Sequence, residues 1–236
     1  MKPVSIAMIA YNEQHSIGEV LREYCGEVFS KLPEGSEFIV YLDSPTDSTP
    51  EIVGNIAKEM QLRIIEGEKN LGYSGAMKAA ISMARNDVIF YSDSSGKHIA
   101  GDFWKLYGLE GKYDIVTGLR MDRKDPLLRR IVTFGQRVII SALFFIPLYD
   151  FNTGFKIIHK NIAEKVLPEC RYMKQSFSSE LLIRAYKKGF TIKNVPVTFG
   201  TRQYKGSGTQ YSNLPGIIFR SLKGFIMLRI EMWFKQ

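Results

Sequence analysis

Apolar strand patterns and amphipathic helix patterns alternate along the first half of the chain. Apolar runs that suit strands buried on both faces lie at Val4 to Ile9, Phe38 to Leu42, Leu62 to Ile65, Val88 to Tyr91 and Asp114 to Thr117. Helical patterns separate them at 16–29, from Thr49 onward, and at 74–84. In the second of these, Thr49 suits the helix cap and Pro50 the first helical position. This alternation predicts an α/β fold whose central sheet is mainly parallel and has flanking helices.

The second half of the chain has fewer and longer patterns. A long helical pattern runs from Leu127 to Tyr149 and is basic at its start. A helix is predicted at about 179–188 and a strand at about 195–199, and a basic, glycine-rich loop at 202–208 leads to a final helix. We therefore predict one domain at 1–210, with halves at 1–119 and 120–210, followed by an amphipathic helix at 211–236.

Composition narrows the class of protein. A chain of 236 residues with 45% hydrophobic residues can bury one sizeable core. Cys25 and Cys170 form no CxxC motif, which argues against a disulfide scaffold or a structural zinc site and fits a reducing compartment. The first residues lack the pattern of a signal peptide. The net charge of +8 fits anionic lipid or phosphorylated substrates, and without a nucleic-acid-binding motif we expect no nucleic-acid partner.

Two apolar segments of the second half suit a membrane surface. The run from Val138 to Tyr149 is too short to span a bilayer. On a wheel of the final helix, Arg220, Lys223, Glu231 and Lys235 lie on one side, opposite Ile218, Leu222, Phe225, Ile226, Met232 and Trp233. This pattern fits a helix in the membrane interface, and it also fits a helix packed on the protein's own core. Two such segments in a basic chain favour membrane contact, so we predict a cytoplasmic protein bound peripherally to the inner face of the cell membrane.

Polar residues follow the predicted strands at the points where they end. Asn12 and Glu13 follow the first strand, Asp43 the second, Asn70 to Gly72 the third, and Asp93 the fourth. In open parallel sheets, ligands bind beyond the carboxyl ends of the strands. We therefore expect these side chains to converge on one crevice.

The order of these motifs resembles that of family 2 glycosyltransferases. The segments that carry the resemblance are Ala10 to Glu13, Leu42 to Thr49, Asn70 to Gly72 and Ser92 to His98. In the second half, Gly118 to Arg120, Asp150 to Lys156, Ser179 to Leu182 and Arg202 to Ser207 are similar to the branch that contains dolichol-phosphate mannosyltransferase and other polyprenyl-phosphate glycosyltransferases. The resemblance covers nearly the whole chain. It implies a Rossmann-like type-A glycosyltransferase fold, with membrane-facing amphipathic helices added.

The resemblance also implies a site for a nucleoside-diphosphate sugar in the first half. It assigns nucleotide binding to Ala10, Tyr11, Asn12, Glu13 and Asp43, and a loop beside the nucleotide to Asn70 and Gly72. Asp47 also matches a family aspartate, although a turn before the helix at Thr49 explains it as well.

Asp93 matches the first aspartate of the family's metal-binding D-x-D motif, but the second is Ser95, and Lys97 replaces the usual glutamine. Losing a carboxylate and gaining an ammonium disfavours Mg²⁺ or Mn²⁺. Three hypotheses stay open. Lys97, with or without His98, replaces the metal as the counter-charge to the diphosphate; or a metal binds weakly through Asp93 and the substrate phosphates; or the protein binds its ligand without catalysis.

The acceptor side has basic and acidic candidates. Arginines in the resembled branch hold the phosphate of the lipid acceptor, and the corresponding candidates are Arg120, Arg130, Arg202 and Lys205. A hydroxyl acceptor would instead need a general base, for which Asp150 and Glu180 are the candidates.

The leading hypothesis is sugar transfer to a polyprenyl phosphate with inversion. The alternatives are transfer to a glycan or glycolipid hydroxyl, or a non-catalytic nucleotide-sugar-binding module. The base, the sugar and the oligomeric state do not follow from the sequence.

Overall fold

Seven strands and eight α-helices form the described part of this computed structural model, which covers residues 1–121, 127–174, 176–200 and 214–234. The strands are β1 (Val4–Ala10), β2 (Glu37–Leu42), β3 (Arg63–Glu66), β4 (Val88–Asp93), β5 (Ile115–Met121), β6 (Phe155–His159) and β7 (Ile192–Thr198). The helices are α1 (Ile17–Glu27), α2 (Thr49–Met60), α3 (Gly72–Ser82), α4 (Phe103–Tyr107), α5 (Leu127–Phe144), α6 (Lys160–Val166), α7 (Phe177–Lys187) and α8 (Leu214–Phe234).

The strands form one sheet in the order β3-β2-β1-β4-β6-β5-β7. Strand β6 runs antiparallel to both β4 and β5, and the other recorded pairings are parallel. The predicted mainly parallel α/β sheet is therefore confirmed. Because strands from both halves of the chain belong to this one sheet, a division at residue 119 stays a prediction, and the boundary at 210 lies outside the described residues.

Both faces of the sheet are covered, which explains why its central strand β1 is apolar at nearly every position. Every residue of β1 is buried. Ala7 and Ile9 belong to the core beneath α3, α5, α6, α7 and α8. Ile6 and Met8 point the other way, into the core beneath α1, α2 and α4. Alternate residues of a strand point to opposite faces, so a doubly covered strand needs apolar residues at every position.

Two predicted element boundaries were wrong. Thr49 is the first residue of α2 and Ser48 occupies the cap position, because the Thr49 hydroxyl accepts a hydrogen bond from the Glu13 backbone N–H instead. Helix α5 ends at Phe144 and not at Tyr149. The next residue, Phe145, has a left-handed backbone with φ of 55°, and Pro147 lacks the N–H that a continuing helix would need.

Strand β6 was not predicted from the sequence. Its sequence, FKIIH, places a lysine in an otherwise apolar run, and a buried strand is expected to be apolar. Its position matters for the site, because it brings the residues just before it, Asp150 to Gly154, beside the end of β4.

Helix α8 packs on the core and also exposes apolar side chains. Phe225 and Leu228 are fully buried, whereas Ile226, Trp233 and Phe234 are exposed. Glu231, predicted for the polar side, is instead held in ion pairs with Arg171 and Arg184. Packing on the protein's own core is therefore observed, and contact of the exposed side chains with a membrane stays a prediction. In the described part of the chain, no helix is both long and apolar enough to cross a membrane.

Candidate active site

The carboxyl ends of β1, β2 and β4 bring the predicted donor residues together. In the sheet, Ile9 of β1 pairs with Asp93 of β4, and Ala10 pairs with Leu42, the residue before Asp43. Asp43 and Asp93 thus flank the end of β1 at two strand spacings, or about 10 Å. The expected crevice between these two carboxylates is therefore consistent with the strand register.

Asp43 holds the loop that follows β3. It is buried, and its Oδ1 accepts the Leu71 backbone N–H at 2.7 Å. The Asn70 side chain donates to the Asp43 carbonyl, and Asn70 Oδ1 accepts the Gly72 N–H at 3.0 Å. Gly72 has φ of 68°, a conformation that glycine adopts without strain. Asn70 and Gly72 therefore shape the loop beside Asp43, and their place next to a nucleotide stays a prediction.

The turn after β1 is fixed to the loop after β2. Asn12, with a left-handed φ of 52°, accepts the Thr46 backbone N–H at 2.8 Å. Asp47 accepts the N–H groups of Gln14 and Thr49, so in this structure it acts as a turn residue. The Glu13 carboxylate accepts the Ser16 hydroxyl at 3.1 Å. The side chains of Asn12 and Glu13 thus order the loops around the crevice, and Tyr11, between β1 and this turn, is half-buried.

Asp93 contacts Ser95, two residues further along the chain, and Gly154 in the turn before β6. Its Oδ1 accepts both the backbone N–H and the hydroxyl of Ser95, the latter at 2.5 Å. The Asp93 backbone N–H donates to the Gly154 carbonyl. A methyl group at Gly154 would lie 2.6 Å from Asp93 Oδ2, so only glycine leaves this carboxylate its position. Gly154 is thus a structural requirement of the Asp93 site.

Arg120 and Asp150 form a buried, bidentate ion pair. Arg120 Nε and Nη2 donate to the two carboxylate oxygens of Asp150 at 2.7 and 2.8 Å. Burial alone would raise the pKa of Asp150, but the Arg120 charge and hydrogen bonds outweigh burial and hold that pKa below its ordinary value. The Asn152 N–H also donates to Asp150. Asp150 is therefore a poor proton acceptor and a strong anchor for Arg120.

Lys97, His98 and Arg120 surround the ring of Phe199. The Lys97 ammonium and the Arg120 guanidinium lie 5.4 and 5.3 Å from the ring centroid. His98 is buried, stacks on Phe155 and meets Phe199 edge-on. Burial lowers the pKa of His98, while the Asp93 carboxylate opposes that shift, so the ring is neutral near pH 7. Two cationic side chains thus contact the same ring, that of Phe199, and the neutral His98 contributes packing and no charge.

The donor set around Asp93 does not fit a tightly held divalent cation. Within the described ranges, no group of three or more His, Cys, Asp and Glu side chains is placed to bind a metal. One oxygen of Asp93 already accepts two hydrogen bonds from Ser95. Mg²⁺ and Mn²⁺ prefer several anionic or carbonyl oxygens, so a single carboxylate followed by a serine and a lysine is a poor ligand set.

The remaining predicted residues have different surroundings. Glu180 is buried, and its carboxylate accepts three backbone N–H groups and the Arg184 side chain. These are the contacts of a structural anchor, and a role for Glu180 as a base stays a prediction. Arg130 is exposed on the first turn of α5. Arg202 and Lys205 lie outside the described residues.

Three features near the site were missed from the sequence. Lys156 is fully buried in β6, and its only signal was a charge within an apolar run. Gln136, Asn152 and Ser179 form a hydrogen-bonded network that ties α5 and α7 to the turn that carries Asp150. The Arg137 guanidinium stacks on Tyr149, 4.1 Å from its ring centroid. Pairs and networks of this kind join residues that are distant in sequence, so a single sequence carries no signal for them.

Comparison with known proteins decides the family. The sequence model described as "Glycosyl transferase family 2" matches residues 5–167, which is more than half of the chain. The chain belongs to this family. It is a glycosyltransferase, and the resemblance inferred from the motifs is confirmed.

Individual relatives agree with that assignment. Glycosyltransferase AglD of Haloferax volcanii is 30% identical over 205 residues, covering 82% of this chain and 32% of the relative, so this chain spans less than a third of AglD. The dolichyl-phosphate hexose transferase of the same organism is 28% identical over 204 residues, covering 84% of this chain and 83% of the relative.

Among solved structures, the fold is similar to glucosyl-3-phosphoglycerate synthase of Mycobacterium tuberculosis, determined with Mn²⁺, UDP-glucose and phosphoglyceric acid. The TM-score is 0.72 at 16% identity, covering 97% of this chain and 80% of that one. At this identity the likeness concerns the fold alone.

Proposed function

We propose that this glycosyltransferase moves one sugar from a nucleoside-diphosphate donor to a polyprenyl phosphate, with inversion at the anomeric carbon. An oxygen of the acceptor phosphate attacks that carbon and forms a new C–O bond. The bond from the same carbon to the donor diphosphate breaks, and its electron pair leaves with the diphosphate. No proton has to be removed from an ionised phosphate, whereas a sugar hydroxyl would have to lose one.

The observation that carries this proposal is the bidentate pair of Arg120 and Asp150. Both side chains are buried, and the low pKa of Asp150 makes its carboxylate a weak base. A hydroxyl acceptor would require a base at this point. An anionic acceptor requires an oriented cation instead, and Asp150 fixes the guanidinium of Arg120 in one plane. The name of the dolichyl-phosphate hexose transferase supports the same acceptor class.

The donor half of the proposal rests on the crevice at the end of β1. Asp43 would hold the nucleoside, with Ala10, Tyr11, Asn12 and Glu13 shaping the adjoining wall. Asn70 and Gly72 would close the crevice from the loop after β3. Acidic and amide side chains at strand ends suit the hydroxyl and N–H groups of a nucleoside.

For the diphosphate, the proposal assigns the counter-charge to Lys97, because the ligands around Asp93 do not fit a resident metal. Fixed cations beside a leaving phosphate stabilise the charge that develops there. Transfer is therefore expected to continue in excess EDTA. Loss of activity in EDTA that Mn²⁺ restores would refute the role of Lys97 and favour a metal held by Asp93 and the substrate.

The proposal includes a membrane surface, where a polyprenyl acceptor resides. Helices α5 and α8 contact each other, and both expose large apolar side chains. On α5 these include Phe134, which is 63% exposed, and on α8 Trp233, which is 74% exposed. Exposed apolar residues beside basic ones are typical of helices that lie in a membrane interface.

A transfer assay tests the reaction. The protein is incubated with radiolabelled nucleoside-diphosphate sugars and polyprenyl phosphate, and label in the lipid fraction is measured. We expect one donor to label lipid. If folded protein labels none across a broad donor panel but binds a donor by calorimetry, the non-catalytic alternative is correct.

The variant Asp150→Asn separates the two acceptor classes. With a phosphate acceptor, the substitution loosens Arg120, so we expect the KM for the lipid to rise and some turnover to remain. With a hydroxyl acceptor, the same variant would lose its base, and turnover would vanish while donor binding persisted.

Sedimentation with vesicles tests the surface. We expect Phe134→Ser combined with Trp233→Ser to reduce binding to vesicles of anionic phospholipid. Met83→Ser is the matched control, because Met83 is 45% exposed but lies beyond α3, on neither of these helices. Equal loss in the control, or no loss in the double variant, would contradict the assigned surface.

A further inference from the structure

A fully buried lysine lies in the middle of the sheet. Lys156 of β6 is 0% exposed. It pairs in register with Tyr91 of β4 on one side and with Thr117 of β5 on the other. Neighbouring residues in register point to the same face of a sheet, so these three polar side chains form a transverse row within an apolar core.

The contacts of this row are incomplete. The Lys156 ammonium donates to the Ser178 hydroxyl of α7 at 2.7 Å, and that hydroxyl donates to the Thr153 carbonyl. In the described structure, the side-chain hydroxyls of Thr117 and Thr153 are buried and have no hydrogen-bond partner, and the Tyr91 hydroxyl interacts with that of Tyr73. Buried polar groups without partners destabilise a fold, and a buried charge does so more strongly. Such a cluster points to a functional reason for keeping the lysine.

Charged groups of the candidate active site face Lys156 from several elements. Asp93 and Tyr91 belong to β4, Arg120 to β5, and Asp150 to the turn before β6, while Tyr73 of α3 approaches through Ser178. Burial lowers the pKa of Lys156 to about 7, although Asp150 and Asp93 pull it upward and Arg120 pushes it further down. Burial raises the pKa of Tyr91, so its hydroxyl does not ionise near neutral pH.

We propose that Lys156 is an internal counter-charge for donor binding: its ammonium, held by Ser178 behind Asp93 and Asp150, offsets the negative charge that a diphosphate adds to this site. Lys156 is a positioning residue, since it is fully buried and acts through the two carboxylates. The inference rests on the proposed function, because it requires a nucleoside-diphosphate donor in the crevice above Asp93.

The electrostatic reasoning gives a specific pH dependence. A diphosphate near Asp93 and Asp150 would add negative charge to a pocket that already holds two carboxylates. A protonated Lys156 balances part of that charge, and a neutral one does not. Donor affinity should therefore fall as pH rises through the pKa of Lys156. The diphosphate diester of a nucleotide sugar does not itself titrate in this interval, so the ligand contributes no competing change.

The test is calorimetric binding of UDP-glucose, GDP-mannose and UDP-N-acetylglucosamine, without acceptor, at pH 6.5 and 8.5. We expect the best-binding donor to lose roughly tenfold in affinity between these pH values, or about 1.4 kcal/mol. In Lys156→Met, affinity should be low and the same at both pH values. Lys193→Met is the matched control, because Lys193 is a lysine of the same sheet, in β7, but is exposed. This variant should bind the donor as the wild type does.

The outcomes separate the two proposals. If the wild type binds none of the donors, the proposed function fails, and this inference falls with it. If a donor binds with an affinity that does not change with pH, or if Lys156→Met keeps the wild-type pH dependence, the inference alone is wrong. The wild-type measurement needs no variant, and Lys156→Gln replaces Lys156→Met if the methionine variant does not fold.

Discussion

Replacing Glu180 distinguishes a structural anchor from a catalytic base. Its carboxylate accepts the backbone N–H groups of Arg171, Tyr172 and Met173 at 3.0, 2.9 and 2.8 Å, and the Arg184 Nε at 3.0 Å. Arg184 in turn pairs with Glu231 of α8. The single side chain of Glu180 therefore ties the segment before α7 to the ion pairs that dock the last helix.

The cost of Glu180→Ala follows from these contacts. A buried donor left without an acceptor costs about 1–3 kcal/mol. Removing one partner of a buried ion pair costs about 3–5 kcal/mol. Because the same carboxylate makes all these contacts, the costs overlap, and we expect a loss of about 3–5 kcal/mol in the free energy of unfolding. At roughly 2–4 °C per kcal/mol for a chain of this size, Tm should fall by about 6–20 °C.

The assay is thermal and urea unfolding of Glu180→Ala and Glu180→Gln, together with turnover at 15 °C, where the variants remain folded. We expect glutamine to cost less than alanine, since it keeps one acceptor oxygen. Glu164→Gln is the control: Glu164 is exposed on α6, and its loss should change the unfolding free energy by less than about 0.5 kcal/mol. An unchanged Tm with abolished turnover in Glu180→Gln would refute the structural role and restore Glu180 as a candidate base.

Three further changes test the site. In Gly154→Ala, the new methyl group displaces the Asp93 carboxylate, so we expect turnover to fall at least about tenfold with a smaller change in Tm; wild-type turnover would show that the position of Asp93 is unimportant. In Asp43→Asn, the hydrogen bond from the Leu71 N–H survives, so calorimetry should find a folded protein whose donor affinity is at least about tenfold weaker; unchanged affinity would remove Asp43 from the nucleoside site. Lysine in the unfolded chain keeps its ordinary pKa of 10.5, while that of folded Lys156 is about 7, so the unfolded state binds more protons between these values. The stability of the wild type should therefore rise with pH from about 7 to 10, by at most about 1.4 kcal/mol per pH unit, and urea unfolding of Lys156→Met should lack this slope.

The position of the residues proposed to bind the donor could be predicted from the sequence, because it follows from a general rule of sheet geometry. Strands β1, β2 and β4 are apolar, parallel and joined by helices, so the polar residues after them must lie at one edge of the sheet. This rule alone was enough to predict that Asp43 and Asp93 lie at the same edge of the sheet. The boundaries of the strands shifted by one or two residues, which does not move a side chain from that edge.

The other side could not be predicted in the same way. Strand β6 runs against its neighbours, and a reversed strand has no fixed place in the strand–helix alternation of the first half. The contact of Gly154 with Asp93 depends on that strand, which joins residues 61 positions apart. Lys156 is the reason that β6 was not predicted, because a charged residue interrupts the short apolar pattern that indicates a buried strand. The same lysine, Lys156, is buried by β6 beside the candidate site.

The ion pair between Arg120 and Asp150 changes the function that we infer for each of the two residues. Taken singly in the sequence, the arginine suggested a phosphate site and the aspartate a base, which point to different acceptors. As a buried bidentate pair, the aspartate is a support for the arginine, and the two favour one acceptor class. The same reasoning extends to Asp93 and Lys156, which lie on neighbouring strands and interact through their charges. If the proposed function is correct, Asp150 serves to place the cation of Arg120, and fixed cations of this kind take the part that a divalent metal would otherwise have beside the substrate phosphates.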